Sequence, residues 1–123
     1  MTYGANNKIN IKKRLLILGA SGQTGFAVLK QAAVQPDLEV TALIHTPGKS
    51  NLVAAYADHV ICLDYSHEDE LKQAFQSIDV CYMVLPRDDL ELQHAISIIK
   101  IIAKSSVQQI IYLSGLFSFQ LSL

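Results

Sequence analysis

Five short apolar runs recur along the chain: LLILG (residues 15 to 19), EVTALIH (39 to 45), HVICLD (59 to 64), DVCYMVL (79 to 85) and QQIIYLS (108 to 114). Each is largely continuous instead of alternating apolar with polar residues. That is the pattern of a strand covered on both faces, as the strands of a parallel sheet are. Parallel neighbours need a crossover between them, and the intervening segments have helical period.

The first helix is expected from about Gly22 to Gln35, where Pro36 stops it, and a short second helix near residues 50 to 57. The third opens at SHEDEL, with Ser66 as cap and Asp69 three residues later, and buries Leu71, Ala74, Phe75 and Ile78 along one stripe. The fourth is opened by Asp88, Asp89 and Glu91 and closed by Lys100 and Lys104, signs that suit the helix dipole. Its predicted inner face is Leu92, Ala95, Ile96, Ile99, Ile102 and Ala103.

Five strands alternating with four helices specify an α/β fold, an open doubly wound parallel sheet with right-handed crossovers and the expected strand order 3-2-1-4-5. In that order Cys62 and Cys81 lie three strand spacings apart, about 14 Å at roughly 4.8 Å per spacing, beyond the reach of a disulfide. Both are expected to be buried thiols.

Half of the 123 residues are apolar, enough for one core and one domain. The domain is read as residues 14–115, after a polar leader over 1–13 and before an apolar tail over 116–123. Ten Lys and Arg against 11 Asp and Glu leave no global field to favour nucleic acid or an anionic membrane. With no apolar leader and no run of about 18 apolar residues, the expectation is a soluble cytoplasmic protein. The histidines at 45, 59, 67 and 94 show no metal-ligand spacing, so no metal site is expected.

Half of the six glycines stand in GASGQTG, as Gly19, Gly22 and Gly25. The spacing alone is a weak signal. Its position is stronger, because it begins on the last residue of the first strand and ends inside the first helix, where a phosphate-binding turn sits. Absent side chains let the backbone turn sharply and bring a pyrophosphate to the helix N-terminus. The alternative is that the glycines only permit close strand-to-helix packing.

A site for NAD commonly carries Asp or Glu about 20 residues further on, to accept hydrogen bonds from the ribose. Here that position is His45, followed by TPGKS. No acid repels a 2′-phosphate, while Thr46, Lys49 and Ser50 are able to donate to one, so NADP(H) is the expected cofactor and NAD(H) the alternative. HTPGKS also reads as a plain polar turn.

LILGASGQTG, ALIHTPGKS, VICLDYSHEDELKQAFQSIDVCYMV and IIYLSG together resemble the N-terminal half of NmrA-like proteins, atypical short-chain dehydrogenases/reductases with a Rossmann-like fold. The resemblance runs from residue 14 to about 115. It implies that Gly19, Ser21, Gly22, Gln23, Thr24 and Gly25 hold the pyrophosphate of a dinucleotide, that Asp64 and Tyr65 flank the adenine, and that Leu85 and Pro86 approach the nicotinamide side. His45 stands where the family commonly has arginine, and Lys49 matches a lysine often found there. Ser114 aligns with a serine that assists catalysis in some relatives. Taken by themselves, Asp64 also reads as the cap of a turn, Ser114 as a turn residue and Arg87 as a solvated side chain.

Short-chain reductases use Tyr-x-x-x-Lys, in which the lysine readies the tyrosine to pass a proton. No tyrosine of this chain has lysine four residues on, so no catalytic residue is assigned. After Ser114 and Gly115 the sequence reads LFSFQLSL, whereas the resembling family continues into a substrate lobe; the expectation is a fold truncated after its fifth strand, with that strand on an open edge. The first functional reading is a regulatory or sensor-type module that binds NADP(H) without turnover of its own. It would contact a protein partner or self-associate through the open edge. The alternative is the cofactor half of a reductase acting on a quinone-type acceptor, and a decayed fragment is the third.

Overall fold

The computed structural model describes residues 11–113 and 118–122. Strands β1 (Lys13–Leu18), β2 (Leu38–Ile44), β3 (His59–Cys62), β4 (Val80–Val84) and β5 (Gln109–Leu113) are parallel, and β6 (Ser118–Ser122) runs antiparallel to β5. The spatial order is β3-β2-β1-β4-β5-β6, so the first five strands take the expected 3-2-1-4-5 arrangement. Helices α1 (Gln23–Ala33), α2 (Ser50–Ala54), α3 (Glu68–Ala74) and α4 (Glu91–Ala103) make the crossovers.

Successive strand residues point to opposite faces and so build two cores. Leu16 and Leu18 of β1 join Leu43, Phe75, Cys81, Met83, Ile98, Ile102 and Ile110 under α3 and α4. Ile17 joins Leu29, Val40, Ala42, Ile44 and Val53 under α1 and α2. In β1 and β2 the continuous apolar runs are therefore strands buried on both sides.

Reciprocal hydrogen bonds fix where two strands begin. Asp79 Oδ2 accepts from the Arg14 amide at 2.8 Å while the Asp79 amide donates to Arg14 O at 2.9 Å. Asp58 does the same with Val40, at 2.8 and 2.9 Å.

Several expectations are corrected. Residues 118–122 pair along β5, so the fifth strand has no open edge and the apolar tail includes a sixth strand. Self-association through that edge is thereby removed. Cys81 is buried, but Cys62 is exposed because β3 is the edge strand of the sheet. Ser66 does not cap α3: its amide and hydroxyl both donate to Asp64 Oδ1, at 2.8 and 2.7 Å, and His67 takes the cap position with its ring on Glu70 Oε1 at 2.8 Å and no side-chain bond to the helix amides. Helix α4 starts at Glu91, not Asp88, because Asp88 closes a turn by accepting from the Leu90 amide at 2.9 Å. Its buried residues are Ala95, Ile98, Ile101 and Ile102, whereas Leu92 and Ile96 are 70% and 46% exposed. Apolar residues cover so much of α4 that its periodicity admits two stripes, and packing against the sheet selects one. Helix α2 is shorter than expected, ending at Ala54 instead of near residue 57, and a 3-10 turn at Pro47–Lys49 leads into it.

Candidate functional site

A cleft of about 350 Å³ opens at the C-terminal ends of β1, β2 and β4, where an open α/β sheet reverses its winding. It is lined by Gly19, Ser21, Gly22, Gln23, Thr24, His45, Thr46, Lys49, Tyr65, Val84, Leu85 and Pro86. Of the residues expected to bind, eleven meet in this one space. Gly25 and Asp64 do not line it, nor do Ser50 and Arg87. Ser114 lies outside the described residues. The lining residue that the sequence left unmarked is Val84, whose signal was only its place at the end of a strand.

The three glycines differ in what requires them. Gly19 has φ +86°, and a Cβ there would lie 2.1 Å from Val84 O. A Cβ on Gly25 would lie 2.0 Å from Gly19 O. Both positions are closed to any side chain by backbone atoms. At Gly22 the nearest atom to an added Cβ is Gly19 O at 3.5 Å, an ordinary contact. The fold does not require glycine there, yet Gly22 stands at the cleft, where a side chain would fill the space over the start of α1. That helix begins at Gly22 with no side-chain cap and no acidic residue in its first turn, so its N-terminal amides and positive dipole end face the cleft. An uncapped helix start beneath a glycine that leaves room for a ligand fits a pyrophosphate.

His45 follows the last residue of β2. Its ring meets Tyr65 edge to face, with centroids 5.4 Å apart and planes at 74°, and its Nδ1 is 3.3 Å from Thr46 Oγ1. Lys49 ends the 3-10 turn on the same wall. The Tyr65 hydroxyl points inward, buried and without a hydrogen-bond partner among the described residues. It lies beside the Gly19 amide, which already donates to Leu43 O at 3.0 Å. Burial, and secondarily the neighbouring Cys81, push the phenol well above its usual range. Asp64 closes the turn with Ser66, and those hydrogen bonds hold its carboxyl below the usual carboxylate range. Its alternative role as a turn cap is thus the one its bonds display. Tyr112 donates its hydroxyl to the Glu91 carboxylate; burial first, then that bond and charge, push its phenol up to about 12.

Fold and cleft define the class of doubly wound nucleotide-binding α/β proteins. The sequence profile of the NAD(P)H-binding family matches residues 19–121, and the chain belongs to that family. No curated protein matches it. Among solved structures, a Rossmann-fold NAD(P)-binding family protein from Shigella flexneri is 29% identical with a TM-score of 0.66, over 80% of this chain and 49% of that one. The Citrobacter sp. triphenylmethane reductase complexed with NADP(H) is 22% identical (TM-score 0.70), over 82% of this chain and 37% of that one. An NADPH-dependent quinone oxidoreductase from Escherichia coli, complexed with NADPH, is 23% identical (TM-score 0.69), over 80% and 35%. The chain thus spans half or less of the length of these proteins. No described helix is long and apolar enough to cross a membrane, and no three His, Cys, Asp or Glu side chains among the described residues gather as metal ligands.

Proposed function

We propose that this NAD(P)H-binding chain takes NADP(H) in preference to NAD(H), with the pyrophosphate on the turn from Gly19 to Gly25 and the 2′-phosphate toward His45 and Lys49. The nicotinamide end lies toward Leu85 and Pro86, and the adenine beside Tyr65. The observation that carries the reading is Gly22: glycine where the fold has room for a side chain, and where a ligand would need that room. The absence of any acid at the end of β2 supports the 2′-phosphate.

Bound NADPH supplies a hydride from its nicotinamide ring. Passing it to a carbonyl also needs a proton donor and a held acceptor. Val84, Leu85 and Pro86 offer no titratable side chain, His45 and Lys49 stand two strand positions away, and the Tyr65 hydroxyl is buried. The residues described here accordingly favour a regulatory or sensor-type module that holds the dinucleotide and does not turn over by itself. The fold shared with the Citrobacter and E. coli reductases supports a second reading, the cofactor half of a reductase, for which a quinone is the acceptor class needing least protonic help.

Calorimetric titration of wild type and Gly22→Val with NADPH and NADH tests the binding. Saturable binding to wild type, lost in the variant while its circular dichroism is unchanged, is expected; equal affinity in both overturns the assignment. Saturable NADPH oxidation with a quinone panel at about 1 s⁻¹ or faster, abolished by Gly22→Val, selects the second reading.

A further inference from the structure

We propose that His45 makes the choice of dinucleotide depend on pH: its protonated ring, beside Lys49, supplies positive charge to a 2′-phosphate, so preference for NADP(H) over NAD(H) grows as the imidazole gains its proton. The inference rests on the cofactor reading above and goes beyond it, since a lysine or arginine alone would give a preference that hardly changes near neutrality.

The geometry gives the ring one defined task. The edge contact with Tyr65 fixes its plane, and Thr46 Oγ1 at 3.3 Å engages Nδ1. Nε2 is left without a hydrogen-bond partner among the described residues, as the nitrogen able to donate to a ligand. In the tautomer in which Thr46 donates to Nδ1 the neutral ring carries its hydrogen on Nε2; on protonation both ring nitrogens carry hydrogen, and Nε2–H has a full charge behind it. The donor is therefore present in both states, and only its charge changes. Histidine is the side chain whose charge ordinarily changes between pH 5 and 8.

The groups facing His45 come from three elements. Lys49 stands on the 3-10 turn. Asp64, on the loop after β3, is within electrostatic reach and is held ionised by Ser66. Tyr65, on the same loop, stays a neutral phenol. The glycine turn and the end of β4 present no titratable side chain to the cleft. His45 is thus the one imidazole that lines the cleft. A phosphate monoester takes up its own second proton near pH 6, so the effect levels off below about pH 6.5.

The test is calorimetric titration with NADP⁺ and NAD⁺ at pH 8.5, 7.5 and 6.5, for wild type, His45→Gln and His45→Arg. In wild type the ratio of NADP⁺ to NAD⁺ affinity is expected to rise roughly tenfold from pH 8.5 to 6.5, as a neutral hydrogen bond becomes charge-assisted. In His45→Gln it stays low and constant within about twofold, and in His45→Arg high and constant. Binding of both nucleotides with a wild-type ratio that does not change, or that changes equally in His45→Gln, overturns the inference; a ratio that still favours NADP⁺ leaves the cofactor reading standing, and one that does not removes the preference for NADP(H) as well. Binding of neither nucleotide at any pH removes both.

Discussion

A Cβ on Gly25 would lie 2.0 Å from the carbonyl oxygen of Gly19 and 2.7 Å from its carbonyl carbon, so the first turn of α1 rests directly on the end of β1. Gly25→Ala must push helix and strand apart. Overpacking of this kind costs about 1–3 kcal/mol, and backbone on both sides of the contact puts this site at the upper end. Gly22→Ala meets only an ordinary 3.5 Å contact and is expected to cost about 1 kcal/mol or less. Urea melts of the two variants check the contrast; equal losses would mean that both glycines serve packing alone.

Tyr65→Phe removes a buried hydroxyl that finds no partner among the described residues. An unsatisfied buried polar group costs about 1–3 kcal/mol, and replacing it with an apolar group of the same shape is neutral or stabilising. The variant is expected to unfold at an equal or higher urea concentration. A loss of more than about 1 kcal/mol would show that the hydroxyl has a partner after all.

The two thiols should behave oppositely. Cys62 is exposed on the edge strand, whereas burial pushes the Cys81 thiol up to about 12. In the native protein a thiol reagent should label one cysteine per chain quickly and the second only on unfolding; rapid labelling of both contradicts the buried placement. The sign of the linkage follows. Cys81 and Tyr112 have folded values raised above their ordinary ones, so their contribution is complete below about pH 9 and is lost as pH climbs toward about 12. The melting temperature should decline over that alkaline window, and less steeply in Cys81→Ala measured against its own neutral value.

Lys49→Glu places an acid where the 2′-phosphate is proposed to sit. One charge-assisted hydrogen bond is worth about 1.5–3 kcal/mol, or roughly 10- to 150-fold in affinity. The variant should lose most of its preference for NADPH over NADH while its affinity for NADH changes little. A parallel loss for both nucleotides would place Lys49 at the pyrophosphate instead.

The order of the five parallel strands was legible because each crossover leaves a doubled signature, a continuous apolar run followed by a helical stripe. The cleft was legible for a related reason: its walls are strand ends, and strand ends are where those runs stop. Other features depend on what a segment packs against. The inner face of α4 was misread because Leu92 and Ile96 extend a second apolar stripe, and only the sheet selects between Ile96 and Ile98. Cys62 looked buried because an edge strand and a central strand share the same residue types. Ser66 was a sound cap by type, but its amide and hydroxyl are both tied to Asp64, two residues before it, and the helix starts one residue later with His67 at the cap. The division of labour among the glycines was also hidden, since the spacing treats Gly19, Gly22 and Gly25 alike and only the positions of Val84 O and Gly19 O separate them.

The reversal of direction at β6 has a practical side. Because this strand runs against its neighbours, Gln109 stands opposite Ser122 and Leu113 opposite Ser118, so the backbone at Ser122 has returned to the rim where the parallel strands begin. The cleft opens at the other rim. A tether joined beyond Ser122, such as a sensor-surface anchor or a fluorescent reporter, therefore starts out on the far side of the sheet and leaves the mouth of the cleft facing away from the support.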